Sequence, residues 1–260
     1  LNVLFYSTST IEIIGVIIST SIMMATNGIN VAHELGHRKS FFSRTCSKLL
    51  LMPSQYMHFY IEHNFGHHVN VGTENDPATA KYKQSLYNFW ITSVIGQYIS
   101  AWKLQLKLLK NSNQNFFSIK NDMMFYIIFQ LSFIAFIYFN YALTVTLYSL
   151  VISIISFLFL ETINYVEHYG LSRKKNESGR YERIKTVHSW NSNHVVGRLV
   201  LYELTRHSDH HFISSKKYQV LESIDESPQL PYGYPTSILL SMVPPLWFRI
   251  MNPRVESFQN

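Results

Sequence analysis

The stretch YALTVTLYSLVISIISFLFLETINYVEHYG, residues 141–170, decides the fold. Its first part, 141–160, carries no charge. At about 1.5 Å of rise per residue it is long enough to cross a hydrocarbon core roughly 30 Å thick. Continued in helical phase, the same segment places Glu161, Asn164 and His168 on one face, so the helix carries an imidazole to its end. Ionisable groups at membrane depth are costly and mark function. The expectation is an all-α chain, an integral membrane helical bundle whose chemistry lies where its helices leave the lipid.

Working outward, residues 123–139 form a second apolar run with Gln130 as its most polar member, and the two runs make a helical hairpin turning near Asn140. A third span covers 11–32, interrupted by Glu12, Asn27 and Asn30, and ends on His33 and His37. Residues 85–110 are apolar but carry Lys103, Lys107 and Lys110 on one face. A crossing there would put these lysines on the wrong side, so an interfacial amphipathic helix is expected. Residues 39–61 are too short an apolar run to span and read as a membrane-lining or re-entrant helix. The polar turn at 73–78 offers Pro77 as the opening of the next helix. Residues 161–226 read as a cytoplasmic, histidine-rich region with helix resuming over about 195–205. Residues 227–260 read as an interfacial tail broken at Pro244-Pro245. The whole of 1–260 is treated as one domain.

Charge gives the orientation. The chain is +6 overall, yet only 15% of its residues are charged, against about 25% in an average soluble domain. Its cations gather at Arg38, Lys39, Arg44 and Lys48 and again over 173–185, which places those loops in the cytoplasm. A basic patch can also bind nucleic acid, but these cations flank apolar runs and no nucleic-acid motif accompanies them. The single Cys46 rules out an internal disulfide framework and any Cys-x-x-Cys metal site. The chain opens at Leu1 with no cationic leader, and it reads as a fragment lacking its N-terminal part.

Nine of the twelve histidines fall in four clusters: His33 and His37; His63, His67 and His68; His168; and His207, His210 and His211. Residues three or four apart share one face of a helix, so His33/His37, His63/His67 and His207/His210/His211 are expected to present their rings together. Neutral imidazole is a good ligand for iron, zinc, copper and nickel. One tetrahedral metal uses about four ligands, so nine point to two metals. Carboxylates stand beside each cluster at Glu34, Glu62, Asp76, Glu167 and Asp209, and they are assigned to support the ligands through the second ring nitrogen. His58, His188 and His194 lie outside the set; for the last two, capping or gating is as reasonable as ligation.

The clusters stand as HELGHR at 33–38, EHNFGHH at 62–68, NYVEHYG at 164–170 and RHSDHH at 206–211. Together with TENDPA at 73–78, HSWNSNH at 188–194, LPYGYP at 230–235 and PPLW at 244–247, they resemble the membrane-bound alkane 1-monooxygenases, the AlkB-type hydroxylases of the membrane fatty acid desaturase/hydroxylase superfamily. The resemblance implies two Fe ions held by His33, His37, His63, His67, His68, His168, His207, His210 and His211, with O2 as co-substrate. It implies hydroxylation of the terminal methyl of a medium- or long-chain alkane. It also implies electrons from rubredoxin and an NAD(P)H-dependent rubredoxin reductase, and a place in the bacterial inner membrane with the histidines on the cytoplasmic side. A rubredoxin site needs four cysteines, so the donor is expected to be a separate protein docking around 173–185. That family has six membrane helices, and the missing ones would precede Leu1. Alternatives are a hydroxylase of aryl methyl groups such as xylenes, a fatty-acid desaturase, a non-catalytic metal carrier or, from His33-Glu34-Leu35-Gly36-His37 alone, an intramembrane zinc protease.

Overall fold

The computed structural model of the chain describes residues 1–6 and 9–259. These residues are predominantly helical, and two isolated bridges, Lys175 with Tyr181 and Asn191 with Gln229, are the extent of β pairing among them. Among the described residues, three helices are long and apolar enough to cross a membrane: Thr10–Gly36, Asp122–Tyr141 and Leu143–His168. The 26-residue helix Leu86–Asn111, expected to lie in the interface, is not among those three. By contacts the chain forms two units, Leu1–Glu62 with Ala101–Leu160, and His63–Ser100 with Glu161–Asn260.

In the first unit, Ile11, Ile14, Ile18 and Ile22 recur at helical spacing and are all exposed, an apolar stripe suited to lipid. Ile13, Val16 and Ile17 pack instead on a cluster containing Ile137, Val145 and Ile152. Small hydroxyl residues let the helices approach closely: Ser21 donates to the Ile152 carbonyl at 3.3 Å, and Ser156 donates to that of Ser21 at 3.2 Å. Hydroxyls at Ser19, Ser21 and Thr26 also donate to carbonyls four residues back. Such bonds loosen and bend a helix, and over Met24–Ile29 this one widens into a π-helix before resuming α-helical form at Asn30–Gly36. The hairpin turns at Ala142, with φ of 82°, two residues beyond the position expected. Gln130 accepts the Met57 backbone N–H at 3.0 Å, so the most polar residue of that span holds the loop leading to the second histidine cluster.

The second unit is built around Tyr165, Tyr169, Trp190, Tyr234 and Trp247, all buried. Three expectations change here. The tail is not a peripheral flap: a helix begins at Pro244, where a missing N–H costs nothing, and runs to Gln259. Its Trp247, Met251 and Val255, four residues apart, enter the core, each burial stabilising by about 2 kcal/mol. Pro77 does not open a helix, because Asp76 takes the Ala78 N–H at 3.1 Å and the chain continues in turns, through Lys83 at φ 61°, until Leu86. The helix expected over 195–205 stops at Val200. Tyr202 and Glu203 take left-handed φ values of 52° and 61°, and the Glu203 carboxylate turns back onto Arg198 at 2.7 Å.

Candidate metal centre

His168 ends the helix Leu143–His168, His207 and His211 lie four apart on the helix His207–Phe212, and His67 ends a π-helical segment His63–His67. All four are buried, and their ligand nitrogens lie within 4.8 Å of one another. His63, His68 and His210 form a further set whose ligand nitrogens also lie within 4.8 Å of one another. In the first unit His33 and His37, one α-helical turn apart, bring their Nε2 atoms to 3.3 Å.

The partition differs from the expected one. His63 and His67 were expected to share a face, yet His63 pairs with His68, five residues on, with Nε2 atoms 3.0 Å apart. In an α-helix five residues subtend about 500°, which leaves the rings roughly 140° apart. The wider π turn closes that angle and turns His67 toward His168, His207 and His211. His210 likewise separates from His207 and His211.

Nitrogen pairs at these separations fit a metal better than a hydrogen-bond network. Nε2 of His207 lies 3.1 Å from Nε2 of His168, close to the spacing of two ligands around an ion with bonds of about 2.1 Å. His67 Nε2 and both ring nitrogens of His211 are buried and receive no hydrogen bond among the described residues, a costly condition unless another partner is supplied. Burial, followed by the surrounding imidazoles His207, His68, His67 and His168, holds His211 well below the ordinary histidine value. It is therefore neutral at pH 7, the form that binds metal.

The five carboxylates divide. Asp76 accepts from His67 Nδ1 at 2.8 Å, from the Thr79 hydroxyl at 2.5 Å and from the Ala78 N–H. Burial raises its carboxyl, but the charge and hydrogen bond of His67, with the Thr79 bond, prevail and leave Asp76 below its usual range. Glu167 meets His207 Nε2 at 3.2 Å and accepts from the Tyr234 hydroxyl at 2.9 Å. Asp209 faces the other way, pairing with Lys216 at 2.7 Å and taking the Glu222 N–H at 2.7 Å. On the helix it stands about 160° from His207 and His211. Glu34 pairs with Arg38 one turn on, and Glu62 is buried in the first unit.

His188 serves structure: its Nδ1 accepts the Lys185 N–H at 3.0 Å and its Nε2 lies 3.3 Å from Glu182. Burial, partly offset by Glu182, lowers its pKa. Glu182 itself is held down at about 2, chiefly by the Lys185 hydrogen bond. His194 is exposed at the start of the helix Val195–Val200. His58 is buried, and desolvation takes its pKa to about 3.

Several residues at the centre escaped sequence reasoning. Ser189 lies 3.5 Å from His168 Nδ1, and Ser208 donates to the Ser189 carbonyl at 2.9 Å, so the 188–194 segment backs the ligands. Glu161 accepts from Ser93 at 2.6 Å and Gln97 at 2.7 Å. Its place on the His168 face was visible in the helical phase, but its partners on a distant helix were not. Tyr234 gave no signal beyond the motif that contains it.

A family model described as fatty acid desaturase matches residues 8–239. The chain is 40% identical over 245 residues to alkane 1-monooxygenase 2 of Alcanivorax borkumensis, covering 94% of this chain and 64% of that protein. It is 41% identical over 242 residues to the alkane 1-monooxygenase of Ectopseudomonas oleovorans, covering 87% and 57%. At 27% over 241 residues it is similar to the xylene/toluene monooxygenase hydroxylase component XylM of Pseudomonas putida, covering 93% and 64%. The chain thus spans less than two thirds of the length of each of these relatives.

Proposed function

Because the chain belongs to the fatty acid desaturase family, we propose that it is the membrane-embedded part of an O2-dependent hydroxylase that converts an n-alkane to a 1-alkanol. The observation that carries this reading is the buried group His67, His168, His207 and His211, with ligand nitrogens within 4.8 Å and with His67 Nε2 and both ring nitrogens of His211 receiving no hydrogen bond among the described residues. The similarity to alkane 1-monooxygenases points the same way. We assign this group to one iron, and the set His63, His68 and His210 to a second.

The net reaction is RH + O2 + 2e⁻ + 2H⁺ → ROH + H2O. A terminal methyl has no acidic proton and no leaving group, so the irons, when bound, would supply the oxidising power that side-chain acids and bases lack. The protein's part is to hold the donor set and keep it dry. Asp76 fixes the tautomer of His67, leaving its Nε2 free to ligate, and Ser189 stands behind His168. Burial of all four rings excludes water. Two electrons must come from outside the site; we assign them to rubredoxin, fed by an NAD(P)H-dependent rubredoxin reductase. The three apolar helices make the chain an integral membrane protein. Its bacterial relatives and basic loops support an inner membrane location with the histidines on the cytoplasmic side.

The likeness to the xylene/toluene hydroxylase component supports a second reading, oxidation of an aryl methyl group. The test is to express the protein in membranes, supply rubredoxin and reductase, and compare products from octane, hexadecane and p-xylene alongside metal content. We expect about two irons per chain, 1-alkanols as products, and loss of hydroxylation in His168→Ala with membrane insertion intact. Iron-loaded protein that leaves alkanes untouched but oxidises p-xylene would establish the second reading. A single zinc with no iron would sink both.

A further inference from the structure

Asp76 and Glu167 were assigned the same supporting role, but they meet different ring nitrogens of the four-histidine group. Asp76 meets His67 at Nδ1, the outer nitrogen. Glu167 meets His207 at Nε2, the nitrogen that also faces His168 at 3.1 Å. An Nε2 bound to a metal has no proton to donate. With His207 ligated, Glu167 Oε2 therefore loses that donor and is left on the ligand side of the group. The carboxylate is not loose there. The hydroxyl of Tyr234, a residue only 1% exposed, donates to its other oxygen at 2.9 Å. The Glu167 backbone carbonyl is fixed as well, by the Trp190 N–H at 2.8 Å.

We infer that Glu167 is the carboxylate facing the small exogenous ligand of this metal, a water or a molecule that replaces it, and that Tyr234 is the positioning residue that aims it there. The inference rests on the reading that these four histidines hold iron. It gives the tail a function beyond packing, since Tyr234 begins the helix Tyr234–Ser241. A Tyr234 that merely filled the core would be replaceable by Phe with no effect on what binds at the metal.

The probe is azide, an anion that takes an exogenous position on ferric iron and gives an optical band. It would be titrated into detergent-solubilised, iron-loaded wild type, Glu167→Gln and Tyr234→Phe. With the facing carboxyl replaced by an amide, Glu167→Gln should bind azide with an affinity about tenfold different from wild type. Tyr234→Phe should keep its iron and show an azide affinity between the other two, with a shifted band. Equal affinities and unshifted bands in iron-loaded samples would overturn this inference alone. Wild type that takes up no iron would overturn the functional reading with it. If Glu167→Gln loses iron, Tyr234→Phe decides: a shifted affinity upholds the assignment, and an unchanged one overturns it in favour of direct ligation by Glu167.

Discussion

His67 is held from behind by one oxygen of Asp76, and that oxygen is itself held by Thr79. The Thr79 hydroxyl also accepts the Gly72 N–H at 2.9 Å, so the turn after His68 is a scaffold for a single carboxylate. Replacing Asp76 by Asn removes the charge that fixes the imidazole tautomer. We expect Asp76→Asn to weaken metal affinity about 10- to 100-fold, read by competition with a chelator. Affinity equal to wild type would show that Asp76 only closes the turn. Asp209 shows that a carboxylate beside a ligand in sequence is not automatically its support: its partners are Lys216 and the Glu222 N–H.

Elements meet with little tolerance at Gly170, two residues after His168. Its φ is +72°, and a Cβ there would lie 2.8 and 2.9 Å from the methyls of Val255 on the C-terminal helix. Gly179 has nearly the same φ, +73°, with nothing within 4 Å. Gly170→Ala should therefore cost about 3 kcal/mol from backbone strain and overpacking together, while Gly179→Ala pays the backbone share only. Thermal midpoints of the two variants in detergent separate these contributions, and equal shifts would discount the Val255 contact. The spanning helices were legible because an uncharged run such as 141–160 admits few other readings. The gathering of histidines at the helix ends was legible too, because histidine pairs at such positions are uncommon. The partition of the histidines was not, since it depends on a π turn at His63–His67 that α-helical spacing does not anticipate. Nor was the packing of the tail, where Pro244-Pro245 reads as a breaker and acts as a helix start.

At the scale of the whole molecule, the proposed reaction requires electrons to reach the buried histidines, and an open cleft adjoins the residues behind them. An open cleft of about 630 Å³ is lined by Gly72, Asp76, Tyr82, Gly170, Arg173 and Lys175 among others, and Asp76 connects its wall to His67. Lys174, Lys175, Arg180 and Arg183 are exposed nearby in sequence. Arg173 is not available for docking: it donates to the Val69 carbonyl at 2.9 Å and to that of Glu182 at 2.8 Å. Joint replacement of Lys175, Arg180 and Arg183 by Glu should raise the KM for rubredoxin about tenfold at low salt, with a smaller effect at high salt. Turnover driven by a small uncharged reductant should be unchanged. An unaltered KM would place the donor elsewhere.

The C-terminal helix has a consequence for how the protein is made. Ribosomal synthesis runs from the N-terminus, so the helix carrying His168 emerges well before Tyr234, Trp247 and Val255. Yet those later residues hold Glu167 and close against Tyr169 and Gly170. The four-histidine pocket thus stays unfinished until those later residues have emerged and folded back onto it.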